Sequence, residues 1–73
     1  MAETIDVREM LCAQALAQVS SVMRRVDAGA LIDVVCNAED VREDLLAWAD
    51  AQGHEVLEVV QRSREILIRV RKP

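Results

Sequence analysis

The hydrophobic period of this chain switches within its first dozen residues, and that switch does most to limit the fold. Thr4-Ile5-Asp6-Val7 alternates polar with apolar, as a short half-buried strand does. From Leu11 the spacing lengthens: Leu11, Ala15, Val19, Val22 and Val26 recur at four, four, three and four residues, one apolar stripe along a helix. Asp27-Ala28-Gly29 should end that helix, with Gly29 free to take the left-handed conformation that closes it. A strand followed by an amphipathic helix needs a second strand beside the first, so that the helix has a sheet to cover.

The sequence supplies that strand next. Leu31-Ile32-Asp33-Val34-Val35-Cys36 is short and β-branched, which suits a buried strand. Asn37 or Asp40 can cap a second helix whose apolar positions include Val41, Leu45, Trp48 and Ala49. Its acidic first turn suits the positive end of the helix dipole, and Gln52-Gly53 stops it. His54 to Val60 reads as a third strand and Glu65 to Arg71 as a fourth, joined by a hairpin over Gln61-Arg62-Ser63-Arg64. The predicted order is β-α-β-α-β-β. An α/β two-layer sandwich follows: a four-stranded mixed sheet, its first two strands parallel and its closing hairpin antiparallel, with both helices packed on one face.

At 73 residues the chain has room for one domain with a thin core, over residues 1–73. Deep enclosed active sites do not fit, whereas a surface residue that reacts with help from a partner protein does. A net charge of −4 argues against a dedicated nucleic-acid binder. The chain also has no Phe or Tyr, so the stacking surfaces used on single-stranded RNA are missing. Charge is segregated: Glu39, Asp40, Glu43 and Asp44 are acidic, while Arg62, Arg64, Arg69, Arg71 and Lys72 form a basic tail. These are either two solvated faces or a docking surface for a partner. The acidic start Met1-Ala2-Glu3-Thr4 is unlike a signal peptide, and no apolar run approaches the roughly 20 residues of a membrane span. A cytoplasmic protein with reduced thiols is the expectation, and no membrane association is expected.

Two residues can carry thiol chemistry. Cys12 falls where the first loop enters the first helix, near unsatisfied backbone N–H groups and the positive end of the dipole, which stabilise a thiolate. Such cysteines commonly titrate at about 3.5 to 7.5 instead of about 8.5. The competing reading makes Cys12 a small packed hydrophobe beside Leu11. Cys36, at the end of a β-branched strand, reads as a buried structural thiol. His54 stands without a second histidine for a metal or a Ser and Asp for a triad, so it reads as structural or surface. Trp48 reads as core or near-core.

Several local strings, in this order, resemble the TusA-like sulfur carriers, a family that includes SirA and YedF relatives. Ile5-Asp6 stands where the family has Leu-Asp, with Cys12 six residues later. Ala28-Gly29 stands at its Pro-Gly, Asp44-Leu45 with Trp48 at its Asp-Ile and following aromatic, Gly53-His54-Glu55 at its Gly-His-Glu, and Ile68-Arg69 to Lys72 at its closing Ile-Arg-Lys. The family's Cys-Pro-x-Pro reads Cys12-Ala13-Gln14-Ala15 here. Its glycine three residues before the cysteine is Glu9, and its Asp-Pro before the second helix is Ala38-Glu39. Alanine is an excellent helix former, so the first helix should form without the prolines. Glu9 adds a negative charge that opposes thiolate formation unless Arg8 offsets it.

The resemblance implies a TusA-like domain of sulfurtransferase type that relays persulfide sulfur on Cys12. The donor would be a cysteine desulfurase or rhodanese-like protein and the acceptor another protein, in tRNA thiolation, cofactor synthesis or sulfur metabolism. It implies no metal and no organic cofactor. The alternative is a diverged, non-catalytic interaction module of the same fold that binds a protein or RNA partner.

Overall fold

The computed structural model describes residues 3–73; Met1 and Ala2, part of the acidic start, lie outside the described residues. The elements run β1 (Glu3–Asp6), α1 (Cys12–Arg25), β2 (Leu31–Cys36), α2 (Glu39–Ala51), β3 (Glu55–Arg62) and β4 (Glu65–Arg71). The strands form one mixed sheet in the order β1-β2-β4-β3. β1 pairs parallel with β2, placing Ile5 opposite Val34. β4 runs antiparallel to both of its neighbours, with Ile68 opposite Val34 on one side and Val59 on the other. This is the β-α-β-α-β-β sandwich that the apolar periods predict.

Alternation along β2 and β4 sets the core. Ile32, Val34 and Cys36 point to one face together with Ile66, Ile68 and Val70, and all six are buried. Ala15, Val19, Val22 and Met23 of α1 and Val41 and Leu45 of α2 close over that face. Burying one such aliphatic side chain contributes about 1.5 to 3 kcal/mol. Leu11 departs from the predicted stripe and is 73% exposed. It is the N-cap, with extended backbone (φ −73°, ψ 158°), so its side chain is not on the helical face that its spacing suggests.

The helix ends also differ in detail from expectation. Ala38, in place of Asn37 or Asp40, is the N-cap of α2, and no side chain caps it. At α1 the Gln14 side chain reaches back to accept from the Leu11 backbone N–H at 2.9 Å, half of a capping box. Gly53 closes α2 at φ +77°, the left-handed position for which glycine is suited. α1 ends earlier than expected, at Arg25 with Val26 as an extended C-cap, and Gly29 at φ +88° instead serves the turn in which the Ala30 N–H donates to the Asp27 carbonyl at 3.1 Å. The β3–β4 connection is tighter than predicted. β3 continues through Arg62, and Ser63 turns the chain at φ +49°. A bulge between Val56 and Glu58 leaves Leu57 unpaired and exposed.

On the other face of the sheet Asp33 is nearly buried and takes two hydrogen bonds from Arg69, at 2.7 and 3.0 Å. The guanidinium holds the Asp33 carboxyl below its ordinary range, against the opposing effect of burial. Arg71 pairs with Glu55, and Lys72 donates to the Val26 carbonyl at 2.8 Å. Three of the five tail cations are therefore engaged within the fold, which leaves Arg62 and Arg64 without an ion pair among the described residues.

Two outcomes follow from this packing. Ile68→Ala should cost about 2 to 4 kcal/mol in urea denaturation, from lost transfer energy and a residual cavity, while Leu57→Ala should cost under about 0.5 kcal/mol. The Asp33–Arg69 pair contributes fully above the unfolded carboxyl value of about 3.9 and is lost as pH falls through its lower folded value. Asp33→Asn should lower stability at neutral pH by about 1 kcal/mol, because Arg69 is partly in water, and should flatten the acid limb of the stability curve.

Candidate functional site

Parallel pairing of β1 and β2 sends both following helices off the same edge of the sheet. Cys12 is the first residue of α1, and Asp40 and Asp44 lie on the first turns of α2. The three side chains meet there. Cys12 is half-buried, packed against the rim of the core, and its Sγ donates to Asp40 Oδ2 at 3.7 Å. Asp40 also accepts, through its other oxygen, from the Val41 backbone N–H at 2.9 Å.

This geometry reverses one expectation. A helix start alone would pull the thiol pKa down, yet here it is pushed up from 9.0 to about 11. The Asp44 carboxylate beside the thiol is the largest cause; partial loss of water follows, then the fields of Asp40 and Asp44 and the bond to Asp40. The balance of charge explains the outcome. A helix N-terminus acts as roughly half a positive charge, and two full negative charges outweigh it. Free Cys12 is a protonated thiol at neutral pH.

The charges expected beside Cys12 from the sequence are occupied elsewhere. Arg8 donates to both oxygens of Asp6, at 2.8 to 3.0 Å, and to Glu65 at 2.7 Å. That contact holds Asp6 down to about 2. Glu9 accepts from Asn37 Nδ2 at 2.7 Å, while its backbone N–H donates to Asn37 Oδ1. These residues line a shallow polar depression with Arg64 at the edge of the sheet where α1 and α2 begin.

The other candidates are structural. Cys36 is fully buried, and burial pushes its thiol pKa up. Trp48 packs on the core and lies 4.9 Å from the His54 ring at a tilt of 42°. His54 has a buried Nδ1 without a partner, and burial followed by the charge of Lys72 holds the ring neutral. Among the described residues no group of three metal-ligating side chains converges, and no helix is long and apolar enough to cross a membrane. The sequence analysis gives Asp40 and Asp44 as part of an acidic segment, Asp40 also as a candidate helix cap and Asp44 within the family resemblance, but places neither beside Cys12. Their spacing of four residues on a helix that follows a parallel strand was the signal that they share a face at the start of α1.

A family model described as Sulfurtransferase TusA matches residues 3–72. The chain belongs to the TusA family. It is 23% identical over 56 residues to YrkI of Bacillus subtilis, a candidate sulfur carrier protein, covering 77% of this chain and 75% of that one. Similarity to a candidate sulfur carrier protein of Archaeoglobus fulgidus is 27% identity over 55 residues, 75% of each chain. Within this TusA-family fold the departures noted in the sequence have local compensations. Glu9 occupies the family's glycine position with φ +66°, a left-handed backbone that glycine takes without strain, and its paired bonds with Asn37 hold it there. α1 starts at Cys12 without proline.

The thiol environment predicts the reactivity of Cys12 directly. A rise from 9.0 to about 11 cuts the thiolate fraction at neutral pH about a hundredfold, and the stronger nucleophile recovers about tenfold. Alkylation of Cys12 by iodoacetamide, read by peptide mass, should run roughly tenfold slower than that of an unstructured cysteine and rise to a midpoint near 11. Cys36 should stay unmodified until the protein unfolds.

Proposed function

We propose that this protein is a sulfur carrier that accepts and delivers persulfide sulfur on Cys12. The observation that carries the reading is the position of Cys12: the chain's one thiol outside the core stands at the start of α1, in a chain whose family is described as sulfurtransferase. Both relatives named above are described as candidate sulfur carriers, which supports the same role.

The transfer is a displacement at sulfur. The Cys12 thiolate attacks the terminal sulfur of a donor protein's persulfide. A new S–S bond forms on Cys12, the donor's S–S bond breaks, and its electron pair leaves on the donor thiolate, which takes up a proton. No net oxidation occurs. Delivery repeats the step with the acceptor as nucleophile. A cysteine desulfurase or rhodanese-like protein suits the donor role, and an acceptor in tRNA thiolation, cofactor synthesis or sulfur metabolism suits the other end. The partner supplies the walls that a domain of this size lacks.

Incubation with a cysteine desulfurase and cysteine should add the mass of one sulfur atom to the intact protein. The added mass should map to Cys12, vanish on reduction, and be absent from Cys12→Ser. No sulfur on Cys12 with any desulfurase or rhodanese tried would turn the reading toward a non-catalytic interaction module.

A further inference from the structure

The carboxylates at Cys12 pose a question for a carrier. Two acidic side chains lie against the thiol that must ionise, yet neither forms an ion pair among the described residues. Of the cations at this end of the sheet, Arg42 pairs with Glu39 at 2.8 Å and Arg8 with Asp6 and Glu65, while Arg64, without an ion pair among the described residues, lines the depression beside Glu9 and adds nothing to the charge felt by Cys12. Glu9 is satisfied by Asn37, and Glu43, exposed on α2 without a partner among the described residues, is not among the groups that act on the sulfur. Within α1 no titratable side chain precedes Arg24 except Cys12 itself, so Asp40 and Asp44 of α2 are the charges that face the sulfur. Next to Cys12 in the chain stands Leu11, the most exposed large apolar side chain among the described residues.

We propose that Asp40 and Asp44 gate Cys12, holding it as a thiol in the free protein and releasing the thiolate when a sulfur-donating protein seats an Arg or Lys side chain against them. This inference rests on the carrier reading. The surface fits one kind of occupant: a basic segment beside the donor's persulfide, with an apolar neighbour that covers Leu11. Pairing Asp40 and Asp44 with a cation cancels the field that disfavours ionisation, and the helix N-terminus then acts on the sulfur unopposed. The proton moves from Sγ to solvent or to a carboxylate as the cation arrives, and the thiolate attacks the donor's terminal sulfur. Asp40 and Asp44 are positioning residues here, since they act through Cys12.

Small disulfides test the gate without any sulfur donor. Cys12 would be exposed at neutral pH and low salt to cystamine, which is dicationic, or to the dianionic disulfide of mercaptopropionic acid, with mixed disulfide on Cys12 read by peptide mass. In each exchange Cys12 forms one S–S bond, the reagent's bond breaks, and the released half leaves as a thiol. Cystamine should react about tenfold faster than the anionic reagent, through attraction to the two carboxylates. That preference should shrink severalfold when the salt is raised to about 0.5 M, where charges are screened within a few ångströms. In the Asp40→Asn/Asp44→Asn variant the preference should fall to near unity, and the midpoint of Cys12 alkylation should drop by about one pH unit or more. Both positions are exposed, and circular dichroism would check that the variant folds; the salt series on the wild type stands independently of it. Equal rates for the two reagents in the wild type, a preference indifferent to salt, or a preference retained by the variant would overturn the gate. A failure of the carrier reading looks different: no sulfur is loaded by a desulfurase, whatever charge preference the disulfides reveal.

Discussion

The parallel pairing of β1 with β2 is the constraint on which the rest of this molecule depends. Because the two strands point the same way, the chain leaves the sheet twice at the same edge, and each time it enters a helix that lies on the same face. Ile5 opposite Val34, and Val34 opposite Ile68, tie the parallel half to the antiparallel half through one central strand. The core is then a single apolar layer, and the helix starts are neighbours. Cys12 meets Asp40 for this reason, although they are far apart in the chain.

That meeting sets the chemistry. A cysteine on the first turn of a helix is ordinarily an activated cysteine, yet here the partner helix brings full charges where the backbone brings only a partial one. The free protein therefore carries its half-buried surface thiol protonated, the less reactive form. Such a state suits a carrier, which must meet many thiols and disulfides without reacting before it reaches its donor. A domain this thin cannot enclose a site, so control of reactivity has to come from a few surface charges and from whatever docks on them.

The residues that depart from the family's pattern show which features the fold needs and which it can replace. The left-handed turn before the cysteine survives the loss of glycine because Glu9 and Asn37 bond each other twice. The first helix survives the loss of its prolines because Ala13 and Ala15 favour helix and Gln14 supplies a partial cap. Backbone shape at the site is thus kept by contacts in place of residue type. Most of the basic tail is likewise part of the architecture: Arg69 neutralises a nearly buried Asp33, and Lys72 closes against the end of α1.

By itself the sequence determined the element order, the sheet with both helices on one face, and the burial of Ile32, Val34, Ile66 and Ile68, because alternation and helical spacing are local properties written in which side chains are apolar. It also marked Cys12 as the thiol at a helix start. It misplaced Leu11, since an N-cap residue shares the spacing of the stripe but has an extended backbone. What only the tertiary structure decided is the charge that Cys12 feels. Glu9 and Arg8 are its neighbours in sequence, but hydrogen bonds draw them to Asn37, Asp6 and Glu65, while Asp40 and Asp44 arrive from the other helix. A pKa is set by charges within a few ångströms, and which charges come that close is fixed by how the two helices pack, a property no local pattern contains.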